Sequence, residues 1–180
     1  NKGEAVYLTP AHYMALQHVK MLDTGSFMDF RFAQLEMFYF TRACVLDPRC
    51  LGELFVKSRR TGFTYQIICE MINDGTSISN SKLGMISKTG DDAQEAFLKM
   101  TYGIQNLPFF FIPVIKGKID SKTEVEFAKP SDSTKTAKKK KDNNTDDYLN
   151  TLLNWKTTTE SAYDGQRMTR LLIDEASKPL

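Results

Sequence analysis

Apolar residues recur along this chain in two rhythms, one helical and one extended. Ala11, Met14, Ala15, His18 and Val19 have helical spacing after Thr9 and Pro10, a cap and first-turn pair. Gly25 marks a break. An aromatic-rich stretch over 30–45, with Phe30, Phe32, Phe38, Tyr39 and Phe40, then predicts a second helix that Asp47-Pro48 ends. Leu54, Phe55 and Val56 form a short apolar run that reads as a buried strand. In the next stretch Ile67, Ile68, Met71 and Ile72 share one face of a helix over 65–73, turned back at Asp74 and Gly75. Leu83, Met85 and Ile86 predict a strand over 82–87. Thr89, Gly90, Asp91 and Asp92 offer cap chemistry for a helix lined by Ala93, Phe97 and Met100.

Beyond this the pattern loosens. Residues 106–113 are apolar and bounded by Pro108 and Pro113, as expected of a segment laid across a sheet edge. Residues 124–127 alternate weakly as a strand, to be paired with 112–115 or with 152–158. Residues 129–147 are polar, with Lys135 and the run Lys138, Lys139, Lys140, Lys141, and predict a mobile surface insertion. Leu149, Leu152, Leu153 and Trp155 resume the fold, Tyr163-Asp164-Gly165 is a turn, and Leu171, Leu172 and Ile173 read as a last buried strand. Alternation of strands and helices predicts an α/β fold, a mainly parallel central sheet flanked by helices on both faces. The division expected is a helical segment at 1–50 packed on a core at 51–180, with 129–147 inserted in that core.

Composition narrows the class without naming a function. The 180 residues, 41% apolar and 26% charged, suit one soluble domain, and a net charge of +2 gives no overall pull toward nucleic acid. The lysine run, if functional, would contact phosphates without reading sequence. Cys44, Cys50 and Cys69 lack metal-ligand spacing, and His12 and His18 are the only histidines, so no zinc motif is present and the thiols read as reduced. The apolar stretch 107–115 is too short to span a membrane, so no membrane partner is expected. No secretory signal stands at Asn1, and the chain reads as a piece of a longer protein.

Two stretches carry candidate chemistry. Lys57, Ser58, Arg59, Arg60, Thr61, Gly62, Phe63 and Thr64 lie between the expected strand and the helix at 65–73, the context a phosphate-binding loop requires. Thr64 sits where a hydroxyl would reach Mg²⁺. Phe63 occupies the usual lysine slot, leaving Lys57, Arg59 or Arg60 to neutralise phosphate; read without a ligand, the loop is a basic turn between strand and helix. At the far end Asp174 and Glu175 close the apolar run, where an Asp can hold Mg²⁺ and a Glu can orient and deprotonate a water. Arg31 or Gln34 would face the adenine edge of a nucleotide, since an amide both donates and accepts there; otherwise their helix simply packs on the sheet.

These residues resemble a known family, the large terminase subunit of tailed bacteriophages, the ATPase that drives DNA into capsids. The similarity spans residues 29–180 and is most specific at 57–64 and 171–176. Several family members displace the phosphate-loop (Walker A) lysine to the start of the motif and carry an aromatic before the Ser/Thr, the pattern of Lys57 and Phe63. Softer likeness covers 97–113 and 161–175. The resemblance implies a three-layer P-loop NTPase fold, truncated after the acidic (Walker B) strand. It implies ATP and Mg²⁺ as cofactors, Lys57 on phosphates, Thr64 and Asp174 on Mg²⁺, and Glu175 as catalytic carboxylate.

By the same resemblance the partners are double-stranded DNA, the portal of a procapsid, the small terminase subunit and further copies in a ring, in the host cell cytoplasm, although an isolated piece can be monomeric. Many relatives place an arginine before the glycine ahead of the acidic strand; here Asp164 stands there, leaving Arg167 or Arg170 as the arginine acting in trans. The coupling motif and nuclease domain are absent from this chain, and the lysine-rich insertion has no family counterpart. Alternatives are a helicase or translocase of the same ATPase class, and a catalytically inactive DNA- or capsid-docking module of the same fold.

Overall fold

A computed structural model describes residues 6–57, 61–119, 121–128, 149–159 and 161–174. The lysine-rich segment at 129–147 lies outside the described residues, as do Ser58, Arg59, Arg60 and Glu175. The elements in chain order are α1 (Pro10–Gln17), α2 (Phe32–Leu46), α3 (Phe63–Ser77), β1 (Lys82–Ser87), α4 (Gly90–Gln105), a 3₁₀ turn (Phe109–Phe111), β2 (Ile115–Lys116), β3 (Glu124–Phe127), β4 (Leu152–Thr157) and β5 (Arg170–Ile173). The fold is mixed α/β.

Five strands form one sheet in the order β2-β3-β4-β1-β5. β1 pairs in parallel with β4 on one side and β5 on the other, while β3 runs antiparallel to both β4 and β2. Both partners expected for the strand at 124–127 are therefore realised, one on each side. Register decides the faces: Leu83, Met85 and Ser87 pair with Leu153, Trp155 and Thr157, and pleating puts all six on one side. α3 and α4 cover that side. A Cβ on Gly75 of α3 would meet Leu153 and Leu83, and one on Gly90 of α4 would meet Thr157 and Trp155.

Helices on both faces were expected; the described helices that meet the sheet do so on one. The opposite face is crossed by the connection from β4 to β5. Because β4 and β5 flank β1, this parallel connection must pass over β1. Tyr163 lies there, its hydroxyl donating to Asn154 Oδ1 at 2.7 Å. A Cβ on Gly84 would stand 2.6 Å from Tyr163 Cζ, so the bare glycine in mid-strand makes room for the ring.

Thr9 and Thr89 act as the expected caps, each accepting a backbone N–H from three residues on, His12 and Asp92. The core gathers Phe38 of α2, Ile68, Met71 and Ile72 of α3, Leu83 and Met85 of β1, Phe97, Met100 and Ile104 of α4, Phe127 and Leu153. Burying one such side chain contributes about 1.5–3 kcal/mol. α1 and α2 pack outside α3 and tie the amino-terminal helices to this core.

Three expectations are corrected. Asp74 and Gly75 do not turn the chain but continue α3 to Ser77, and Gly75 packs on the sheet there, where a Cβ would press to 3.0 Å from Leu153. Residues 51–57 form no strand: Leu54 is 82% and Val56 96% exposed, and the half-buried Phe55 ring packs edge-on with those of Phe40 and Phe63. An apolar run becomes a buried strand only when a neighbour pairs with it, and among the described residues none does. The run 171–173 is a strand, but at the sheet edge. Leu172 points into the core, whereas Ile173 is 53% exposed on the other face.

Candidate functional site

The carboxyl ends of β1 and β5 open onto a cleft of about 160 Å³ lined by Thr64, Ser87, Asp92, Glu95, Ala96, Lys99 and Asp174. Local structure explains each wall. Leu83, Met85 and Ser87 alternate onto the helix-covered face, so Ser87 is the last β1 residue to look into the cleft. Arg170, Leu172 and Asp174 alternate onto the same face of the next strand, and the Asp174 N–H continues the ladder to the Ile86 carbonyl at 2.9 Å. Asp92, Glu95, Ala96 and Lys99 are spaced as one stripe of α4. Thr64 comes from the first turn of α3.

Thr64 and Asp174, read from two distant stretches of sequence, thus line one cleft. The rest of the phosphate-loop motif can be followed only in part. Gly62 is the residue before α3 and holds φ +81°, the left-handed conformation that glycine adopts without strain. As the N-cap residue Gly62 has no side chain to offer the first turn. Thr61, Gly62 and Phe63 are half-buried, while Lys57 is exposed in the extended segment 51–57 and does not line the cleft.

Gln34 lies beside the loop. It is 5% exposed, on α2, and its Nε2 comes within 3.1 Å of the place a Gly62 Cβ would take. Its Oε1 is buried with no hydrogen-bond partner among the described residues. A buried amide oxygen without a partner carries a penalty of about 1–3 kcal/mol, which a donor entering beside Gly62 would remove. Arg31 is exposed at the amino end of α2. Arg167 is exposed in the connection before β5. Arg170, the other trans candidate, turns inward instead and bonds Asp74 of its own chain at 2.7 Å.

The cleft's own cation escaped the sequence reading. Lys99 sits 2.8 Å from Glu95 and 4.0 Å from Asp23, with its ammonium 5.6 Å from the centre of the Tyr65 ring. Burial works to lower its pKa, but Glu95, Asp23 and Tyr65 outweigh that and raise it. Lys99 is therefore charged and already engaged. Asp92 accepts from the Thr89 hydroxyl at 2.6 Å, which fixes its carboxylate at the start of α4. The spacing 92, 95, 96, 99 was the signal that could have found this wall, as a polar stripe beside the apolar one of the same helix.

The donor set suits Mg²⁺ better than a structural metal. Among the described residues no three His, Cys, Asp or Glu side chains converge. One hydroxyl and one carboxylate, with phosphate oxygens and waters completing the shell, is how Mg²⁺ sits in phosphoryl-transfer sites. Thr64 and Asp174 could hold such an ion on the cleft, while Gly62 and Gln34 lie beside the loop and do not line it. No protein-family model matches this chain, and no curated protein matches it. Among the described residues no helix is long and apolar enough to cross a membrane.

Proposed function

We propose that this chain is the ATPase region of a viral DNA-packaging motor, of the kind formed by the large terminase subunit of tailed bacteriophages, with a P-loop NTPase fold. The observation that carries the reading is the meeting of Thr64 and Asp174 in one cleft at the carboxyl ends of β1 and β5, where ligands of open α/β sheets bind. The motif pattern described for Lys57 and Phe63 adds the family. In this reading the substrates are ATP and double-stranded DNA. The partners are the procapsid portal, the small subunit and neighbouring copies in a ring, and the place of action is the host cell cytoplasm.

Each residue then has a task. The Thr64 hydroxyl and Asp174 carboxylate hold Mg²⁺, which when bound offsets charge on the phosphates. Gly62 lets the backbone approach them, and Gln34, with Arg31 at the rim, holds the base. Lys57 swings over the loop to the phosphates, with Arg59 and Arg60 as the other cations and Ser58 and Thr61 as further nucleotide-binding residues. Glu175 orients water and takes its proton, and Arg167 of a neighbouring copy reaches the site. The test is phosphate release by Glu175→Gln in the complete protein with DNA present: it binds ATP and barely hydrolyses it. Turnover at the native rate would overturn the assignment.

A second reading is favoured by the exposed place of Lys57 outside the cleft and by Phe63 in the lysine slot. It is a DNA- or capsid-docking module that keeps the fold without hydrolysis, and failure to bind Mg²⁺-ATP at all would select it.

A further inference from the structure

We infer that Arg170 is a positioning residue that sets Thr64 against Asp174, an inference that rests on the nucleotide reading above. Arg170 opens β5 on the face that Leu172 and Asp174 also occupy. Its Nε donates to Asp74 Oδ2 at 2.7 Å, and its Nη2 stands 3.9 Å from Glu70 Oε2. Glu70 and Asp74 are one turn apart on α3, so a single guanidinium reaches two carboxylates on one helical face. All three side chains are largely buried. The space left beside them, about 30 Å³ and also lined by Thr9, Arg42 and Asn73, has room for about one water.

The same two elements meet again at the cleft. α3 runs from Thr64 at the cleft to Asp74 at the clamp, ten residues or roughly 15 Å of helix. β5 and its extension run from Arg170 at the clamp to Asp174 at the cleft, four residues or roughly 13 Å of strand. The two arms nearly match, so pinning them together at one end fixes how their tips stand at the other. Elsewhere α3 is held chiefly by α1 and α4. Among the described residues Arg170 makes a direct polar tie from α3 to the strand that carries the acidic residue. A planar fork with fixed donor directions sets both distance and angle, which an apolar contact at the sheet edge would not.

A helix sliding by about 1 Å would separate a hydroxyl and a carboxylate that must share one small cation, and misplacements of that size are enough to cost a large factor in a positioned site. Arg170 therefore acts on the Mg²⁺-dependent part of nucleotide binding and leaves the contacts of the loop and Gln34 intact.

The experiment compares the Kd of ATPγS with Mg²⁺ and with EDTA, for the native chain, Arg170→Met and Arg170→Lys, each checked for cooperative unfolding. The native chain is expected to bind more tightly with Mg²⁺. Arg170→Met should keep its EDTA affinity and lose about fivefold or more of the Mg²⁺ enhancement, and Arg170→Lys, which still reaches Asp74, should recover part of it. A folded Arg170→Met with the full enhancement would overturn this inference and leave the nucleotide site standing. A native chain that binds no ATPγS would instead remove the reading beneath it. Should Arg170→Met fail to fold, Asp74→Asn takes its place. That variant keeps an oxygen for Nε–H, so it is paired with Asp74→Leu, which has none, and an unchanged enhancement in a folded Asp74→Leu would overturn the inference equally.

Discussion

Gly62 and Gln34 touch at the mouth of α3: a Cβ on Gly62 would lie 3.1 Å from Gln34 Nε2, and the backbone there holds φ +81°. A side chain at Gly62 thus meets two objections at once. An L-residue in the left-handed region costs about 1–2 kcal/mol, so Gly62→Ala is expected to lower Tm by roughly 2–8 °C. Gly117, at φ +85° with open space around its Cβ position, is the control. Gly117→Ala should bear the backbone cost alone and fall less. Equal losses at the two positions would mean that the Gln34 contact is unimportant.

The second prediction concerns the connection that crosses β1. A Gly84 Cβ would approach Tyr163 Cζ to 2.6 Å and Met168 Cε to 2.7 Å. Overpacking of this kind costs about 1–3 kcal/mol, so Gly84→Ala should destabilise by that amount in urea unfolding. Because Tyr163 is the obstacle, the loss should shrink in a Tyr163→Ala background. Strict additivity of the two substitutions would show that the ring does not limit the site.

Stability should depend on pH through Glu70. Burial pushes its carboxyl up to about 7, against the pull of Arg170, while the unfolded chain has the ordinary value of 4.5. The folded chain therefore holds the proton over a range where the unfolded chain has lost it. The stability this contributes is fully present below about pH 4.5 and is lost as pH rises to about 7, a change on the order of 3 kcal/mol. Glu70→Gln should flatten this part of the profile and become more stable than the native chain above pH 7. A native profile with the same slope as Glu70→Gln between those limits would contradict the buried placement.

His12 has the opposite sign. It is fully buried on α1 between the rings of Phe38, at 4.5 Å between centres, and Phe30, at 5.7 Å. Neither ring nitrogen has a hydrogen-bond partner among the described residues. Burial lowers its pKa below the ordinary 6.5, so the unfolded chain takes the proton first and stability falls as pH drops below about 6.5. His12→Phe should leave stability at pH 8 within about 1.5 kcal/mol, as shape-conserving core changes do, and remove the acid-side loss. An unchanged fall in Tm from pH 7 to pH 5, measured in a Glu70→Gln background, would refute it.

Much of the architecture was legible because it is local. Thr9 and Thr89 announce helix starts by their position, and Phe97 and Met100 mark a face by spacing alone. The acidic strand was legible from Leu171 to Asp174, but its place at the sheet edge was not, since strand order depends on contacts far apart in sequence. For the same reason Leu54 and Val56 read as a strand and are exposed: their hydrophobicity says what they could bury, not what pairs with them. The cleft residues Thr64 and Asp174 were legible by residue type. Of their neighbours, Asp92 was legible only as part of a helix cap, and Glu95 and Lys99 were not legible because charged residues on a helix usually face water. The Arg170 clamp was invisible, as Asp74 next to Gly75 reads as a turn until the helix is seen to run through both.

The measurement that tests the central claim most directly is thermal unfolding with and without Mg²⁺-ATPγS, on the native chain, Thr64→Ala, Asp174→Ala and Lys57→Ala. Ligand at a hundredfold its Kd adds about 2.7 kcal/mol, or roughly 5–10 °C in Tm for a chain of this length. The account predicts that shift in the native chain and its loss in all three variants. A well-folded native chain whose Tm does not move with Mg²⁺-ATPγS would contradict it.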